Sequence, residues 1–343
     1  MKKKNSILIF AAGHLGDNIM LGSLIIKLKQ QSNVKITVLN PHPNFSKLFE
    51  RMPGIDNIIN TKFTKKKLDL KKRIKVGIDL KKHNFDEIIY APNTLKSAII
   101  GVFAGIKKRT GWHEGRYLLL NNRHVGKSKT QVQGYVQLAY PPGSSIVDFK
   151  DCPKPVLSNK PLNIIALAKE LNITLPDEKK KNIMFCPGSA WGETKRWPAK
   201  QFIKLGEKLL QDGFNIHILG GTDEVNAANE INSALGNKCI DWTSKTKLDT
   251  VIDILGTSSC VIANDSGLMH MGCAINVPVI AIYGASPPKY TPPLSDKASS
   301  MIIDIECRPC GKRICPKENH LACLFGITPE AVYAKTHEML ELA

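Results

Sequence analysis

The chain has 343 residues, 43% of them apolar, and a formal charge of +18 from 48 basic and 30 acidic side chains. That length exceeds one ordinary core and fits two domains, and the apolar share is ample for globular folding. The basic excess implies anionic partners, and no uncharged apolar stretch (Ser97–Ile106 is among the longest) approaches the roughly 20 residues of a transmembrane helix.

The start, Met1-Lys2-Lys3-Lys4 before Ile7–Ala12, imitates a secretory signal. The apolar run is short, lacks a clear cleavage site and passes straight into a glycine loop, so the expectation is the first strand of a cytoplasmic protein. Ile7–Phe10 reads as a strand, Gly13-His14-Leu15-Gly16-Asp17 as a loop, Asn18–Gln30 as a helix and Val34–Leu39 as the next strand. Ile55–Ile59 and Glu87–Tyr90 read as further strands, with a helix over Thr94–Ala104. Between Lys62 and Lys82 lie ten basic residues and two acids, Asp69 and Asp79. This run is either a solvated helix face with a loop or a patch that docks an acidic surface. It lacks the interleaved aromatics that stack bases, which argues against nucleic acid.

The rhythm breaks over Tyr140–Pro161, which is rich in proline. A short helix over Leu162–Leu171 and the polar stretch Pro176–Asn182 follow. The strand–helix alternation then restarts. Strands are predicted over Asn182–Cys186, Asn215–Leu219, Cys260–Ala263 and Pro278–Tyr283, and helices over Pro198–Gln211, Lys247–Gly256 and Gly267–Ile275. Such alternation implies parallel sheets with right-handed crossovers. The expected organisation is an N-terminal Rossmann-like domain over 1–160, a linker region over 161–181 and a second Rossmann-like domain over 182–328. A last helix within 329–343 is expected to join the first domain.

Three stretches repeat one design: an apolar strand, a loop of small and polar residues, then a helix. They run through Gly13–Asp17, through Pro187-Gly188-Ser189-Ala190-Trp191-Gly192, and through Asn264-Asp265-Ser266-Gly267-Leu268-Met269-His270. At the carboxyl edge of a parallel sheet, the free N–H groups and positive dipole end of the helix suit phosphate. Asp17 is either a helix cap or a general base at the mouth of a cleft, and His14 is placed for the same work. Lys195 and Arg196 precede a helix N-terminus, where cations are unfavourable, so an anion is expected beside them. Lys195 then serves as a point charge on phosphate, with Ser189 and Thr194 as hydroxyl donors. Asp265 or Ser266 caps the next helix, leaving the amides of Ser266, Gly267 and Leu268 toward a pyrophosphate. His270 is either a core histidine or a ligand contact.

Taken together, Gly13–Met20, Phe185–Gly188, Lys195–Pro198, Asn264–His270, Tyr283–Ser286 and Thr291–Ser295 resemble glycosyltransferase family 9, the bacterial lipopolysaccharide heptosyltransferases. The middle and last motifs are most similar to the branch that adds the second heptose of the inner core. The resemblance implies the GT-B architecture, two Rossmann-like domains facing across a central cleft. It implies an inverting, metal-independent transfer from ADP-L-glycero-D-manno-heptose to a lipid-anchored, phosphorylated core oligosaccharide at the cytoplasmic membrane face. Asp17 would deprotonate the acceptor hydroxyl and Lys195 would neutralise the departing diphosphate. Asp223 or Glu224, after Gly220-Gly221, would bind the ribose. Gly16, His14, Lys65, Lys66, Lys67, Lys71, Lys72 and Arg73 would face the acceptor or an anionic membrane. Two other classes remain: a nucleotide-sugar epimerase or hydrolase, and a non-catalytic binding module. A dehydrogenase is weaker, because no Gly-x-Gly-x-x-Gly follows the first strand.

The nine cysteines suit a reducing compartment. No cofactor is expected for catalysis. Cys307-x2-Cys310-x4-Cys315-x7-Cys323 has nearly the spacing of a zinc knuckle. A structural zinc, reduced thiols in an ordered loop, or disulfides formed on oxidation all fit that spacing.

Overall fold

A computed structural model describes residues 5–64 and 67–341. The chain divides into two compact units, the first ending at Ser158 and the second beginning at Asn159.

In the first unit the strands are β1 (Ser6–Phe10), β2 (Lys35–Asn40), β3 (Asn57–Asn60), β4 (Glu87–Tyr90), β5 (Lys108–Trp112) and β6 (Asn122–His124). The helices are α1 (Leu15–Gln31), α2 (Ser46–Phe49), α3 (Leu70–Leu80), α4 (Leu95–Phe103) and α5 (Gln131–Gln137). Ile7–Phe10 is apolar without alternation, the pattern of a strand covered on both faces, and all four residues are buried. The six strands pair in parallel in the order β3-β2-β1-β4-β5-β6. Leu8, Phe10, Leu39, Ile88, Tyr90, Ala98 and Ile100 belong to one buried cluster of this unit.

The second unit contains α6 (Ile164–Glu170), β7 (Asn182–Cys186), α7 (Ala199–Gln211), β8 (Asn215–Ile218), α8 (Val225–Ala234) and β9 (Ile240–Asp241). It continues through α9 (Leu248–Leu255), β10 (Cys260–Asn264), α10 (Gly267–Ala274), β11 (Val279–Ile282), β12 (Ala298–Met301), α11 (Ala322–Phe325) and α12 (Pro329–Glu341). Its sheet runs β12-β11-β10-β7-β8-β9, again all parallel. Counted from its own first strand, each unit has the Rossmann order 3-2-1-4-5-6. The order reverses between β1 and β4 in one sheet and between β7 and β10 in the other. Ligands of such sheets bind at the carboxyl ends of the strands at that reversal. The loops after β1, β7 and β10 are those that the sequence marks out.

Two expectations about organisation are corrected. Residues 161–181 are docked on the second unit rather than spanning between domains. Asn215 exchanges hydrogen bonds with the Asp177 backbone at 3.2 and 2.7 Å. The last helix also packs on the second unit, against α7, β10 and β11. The reason is its apolar stripe: Val332 and Met339 enter the cluster built on Phe185, Trp197, Phe202 and Leu209. Lys65 and Lys66 lie outside the described residues.

Candidate functional site

In the first unit the chain leaves β1 at Phe10 and enters α1 at Leu15. Asn18 is wholly buried and folds its amide back onto the turn. Its Oδ1 accepts from Ala12 N at 2.9 Å and its Nδ2 donates to Ala12 O at 3.2 Å. This clamp fixes the first turn of α1 and with it Asp17, a half-buried carboxylate on that turn. The helix cap is His14, whose exposed side chain makes no capping bond, so Asp17 is not itself the cap.

In the second unit the loop after β7 is stapled to the end of β10 by Asn264. Its Oδ1 accepts from Trp197 N at 2.9 Å, and its Nδ2 donates to Pro187 O at 2.6 Å. Trp197 is buried against Phe202 and donates its indole N–H to Ile327 O at 2.9 Å. Between these anchors the chain swings Lys195 back over the sheet. Lys195 Nζ meets Asp265 Oδ2 at 2.5 Å, and the same oxygen accepts from Ser286 Oγ. Ser286 is delivered by the loop after β11, which Arg308 holds through Gly284 O at 2.6 Å and Ser286 O at 3.2 Å. Gly284 is required there, because a Cβ would collide with the Thr194 carbonyl. The anion expected beside Lys195 is thus present within the fold as Asp265.

Directly after Asp265, Ser266 caps α10 in extended backbone, and its Oγ is buried without a hydrogen-bond partner. The first-turn amides of α10 have no partner within the helix, which with the helix dipole makes this an anion-binding terminus. His270, one turn on, is buried; desolvation pushes its pKa down to about 4, against the pull of Asp265 and with the push of Lys195. It is a neutral imidazole beside the pair. Trp191 lies 39% exposed, with Lys195 Nζ 5.6 Å from its ring centre. A half-buried lysine paired with a buried aspartate, an orphan hydroxyl and a free helix terminus converge at the strand-order reversal of one sheet.

A sequence profile of glycosyltransferase family 9 (heptosyltransferase) matches residues 73–321. Lipooligosaccharide heptosyltransferase 2 of Haemophilus influenzae is 37% identical over 98% of this chain and 99% of its own. The solved structure of the Escherichia coli ADP-heptose lipopolysaccharide heptosyltransferase II is 30% identical, covering 98% of this chain and 99% of that one, with a TM-score of 0.85. The chain belongs to glycosyltransferase family 9. It is a glycosyltransferase of α/β GT-B architecture. A heptosyltransferase solved with ADP, 18% identical and with a TM-score of 0.70, shares the fold.

Within this family frame the remaining expected residues divide. Thr194 does not offer a hydroxyl to phosphate: it is 2% exposed and its Oγ1 donates to Lys312 O. Ser189 is buried as well, its Oγ 3.5 Å from Asp265 O and 3.4 Å from Trp191 N, so it shapes the loop. Arg196 donates to Ser189 O at 3.0 Å. Glu224 accepts from Gly221 N at 2.8 Å and lies against Gly188, joining the loops after β7 and β8, whereas Asp223 is exposed. Gly267 and Leu268 open α10 as expected.

In the first unit Gly16 lies beside Asp17, and Lys67, Lys71 and Lys72 are exposed. Arg73 is not part of a charged surface. It is 3% exposed, lies 4.0 Å over the Phe63 ring, and donates to Leu68 O at 2.7 Å and Lys96 O at 3.0 Å. The cause is helical spacing: Arg73, Gly77 and Leu80 share the face of α3 turned to α4. Cys307, Cys310, Cys315 and Cys323 are free thiols lining one cavity. Among the described residues no three His, Cys, Asp or Glu side chains already stand as a metal-holding group, and no helix is long and apolar enough to cross a membrane.

Asn264, Ser286, Arg308 and Asn18 carry no expected role in the sequence, yet they fix the groups that do. The signal available was the place of Asn264 at the end of β10 and of Asn18 and Ser286 beside small-residue loops; Arg308 lies in a segment without helix or strand and had none.

Proposed function

We propose that this glycosyltransferase moves heptose from ADP-heptose onto the first heptose of the lipopolysaccharide inner core; its relatives are named as heptosyltransferase 2. The observation that carries the reading is the Lys195–Asp265–Ser286 cluster beneath the N-terminus of α10. A diphosphate seated there meets aimed amides, the Ser266 hydroxyl and one fixed ammonium. These groups stabilise the negative charge that grows on ADP as its bond to the sugar breaks. Asp17 takes the proton from the acceptor hydroxyl, whose oxygen forms the new bond to the anomeric carbon. The electron pair of the broken bond leaves with ADP. Glu224, anchored at the Gly221 amide, is the better placed acid for the ribose; Asp223 faces solvent.

The acceptor is read as lipid-anchored and anionic, with the protein at the inner face of the cytoplasmic membrane. The outer face of α3 supports this, since Lys71, Lys72 and Lys75 stand exposed beside Leu70 (44%) and Ile78 (52%). Cations over an apolar edge suit an anionic bilayer surface.

The test is incubation with ADP-heptose and core lipids bearing no heptose or one heptose. A mass gain of one heptose on the monoheptosyl lipid alone is expected. ADP released without any sugar acceptor gaining mass would favour a hydrolase and overturn the reading.

A further inference from the structure

Cys307, Cys310, Cys315 and Cys323 line a single cavity of about 290 Å³, whose wall also includes Thr194, Arg308, Lys312 and Lys317. Three of the thiols come from a segment without helix or strand between β12 and α11, and the fourth from α11 itself. Cys323 lies within electrostatic reach of the other three. Cys315 Sγ accepts from Leu321 N at 3.3 Å, the kind of N–H donor that supports a thiolate ligand. Four sulfurs with a Cys-x2-Cys pair among them are the donor set of a closed, tetrahedral zinc site. Zinc bound by four thiolates carries two net negative charges, and Arg308, Lys312 and Lys317 supply compensating charge around the same cavity.

The segment that bears the thiols also holds the donor-side loops. Lys312 O accepts from Thr194 Oγ1 and from Trp191 Nε1 at 3.3 Å. Arg313 stacks 4.8 Å from the Trp191 ring centre. Cys315 N donates to Glu193 Oε1 at 2.9 Å, and His320 lies 3.4 Å from the same carboxylate. On the other side Gly311 N donates to Ala285 O at 3.0 Å, next to the Arg308 bonds to Gly284 and Ser286. Residues 308–315 therefore grip the loop that carries Lys195 and the loop that carries Ser286.

We propose that Cys307, Cys310, Cys315 and Cys323 form a structural zinc site that braces the Lys195 and Ser286 loops. The four sulfurs close on the ion as it binds, because such sites assemble with their metal. An irregular segment gains from the ion the cross-link that helix or sheet hydrogen bonds do not supply. The zinc half stands apart from the proposed donor; the bracing half rests on the donor reading, and ADP binding by the untreated protein separates the two.

The experiment is metal analysis of the full chain, purified under reducing conditions without added zinc. About one zinc per chain is expected. The Cys310→Ser/Cys323→Ser variant should lose it and Cys152→Ser should keep it. Cobalt added to the stripped wild-type chain should give the absorption of tetrahedral thiolate coordination, a readout that needs no variant to fold. Stripping zinc should weaken ADP binding about tenfold, within the usual range of coupling between sites, and zinc should restore it. A metal-free chain with no cobalt spectrum, iron in place of zinc, or zinc retained by the double variant would overturn the site. Zinc present with ADP affinity indifferent to its removal would overturn the bracing.

Discussion

Replacing Lys195 by Ala separates two jobs that one side chain performs. Its ammonium touches Asp265 at 2.5 Å, with the lysine side chain 18% exposed and the aspartate side chain 4%. The asymmetry decides the outcome. Without Asp265, the lysine stem can swing its charge into water; without Lys195, the aspartate keeps the Ser286 hydroxyl but stays 4% exposed with no cation beside it among the hydrogen bonds and ion pairs of the described residues. An unpaired buried carboxylate costs about 3 kcal/mol or more. In a unit of this size, that corresponds to a fall of roughly 6–12 °C in melting temperature. Lys195→Ala is therefore expected to lower the melting transition of the second unit by that amount, followed by circular dichroism or calorimetry. Lys195→Ala/Asp265→Asn should recover more than half of the loss, because the neutral amide needs no counter-charge. ADP affinity should fall in both variants, since both lack the ammonium. A single variant that melts within 1 °C of wild type, or a double variant less stable than the single, would refute the argument.

Acid should destabilise the second unit before most carboxylates titrate. Burial pushes His217 down to about 3 and His270 down to about 4, while in the unfolded chain both titrate near 6.5. Below pH 6.5 the unfolded state binds protons that the native state refuses, so stability is flat above that pH and falls as pH drops toward 4, by on the order of 5 kcal/mol. Urea midpoints measured across that window should show the fall, and His217→Gln should remove about half of it; a flat profile would contradict both. Arg73→Ala should cost the first unit about 2 kcal/mol in a denaturant titration, through two carbonyls left without their donor, whereas Lys72→Ala should change it by less than about 0.5 kcal/mol. Replacing Lys71, Lys72 and Lys75 by Gln should weaken binding to anionic vesicles by about 3 kcal/mol, roughly 100-fold. Unchanged vesicle binding would remove α3 from the membrane contact.

What the sequence made legible followed from local pattern. Ile7–Phe10, Ile183–Cys186 and Cys260–Ala263 are continuous apolar runs because their strands are covered on both faces, and each ends in small residues where the backbone must turn. What it hid was decided by partners far along the chain. Lys195 and Asp265 are 70 positions apart, and Asn264 grips Trp197 across 67. Thr194 looked like a phosphate donor until a carbonyl 118 residues away claimed its proton. The Lys62–Lys82 run read as a solvated helix face with a loop or as a docking patch, with Arg73 among its cations, although the inward face of α3 takes Arg73 out of that surface. The strands β5 and β6 are short and carry Lys108, Arg109, Asn122 and Arg123, so hydrophobic pattern did not mark them.

Asp17 is the base proposed to take the proton from the acceptor hydroxyl. The most direct measurement is single-turnover transfer by Asp17→Asn beside the wild type, both saturated with ADP-heptose and monoheptosyl core lipid and read by mass. The wild type should convert the lipid, while the variant should fall by about 10²–10⁴-fold, the usual contribution of a general base, with its ADP affinity and melting temperature unchanged. Transfer by the variant within threefold of wild type would contradict the account.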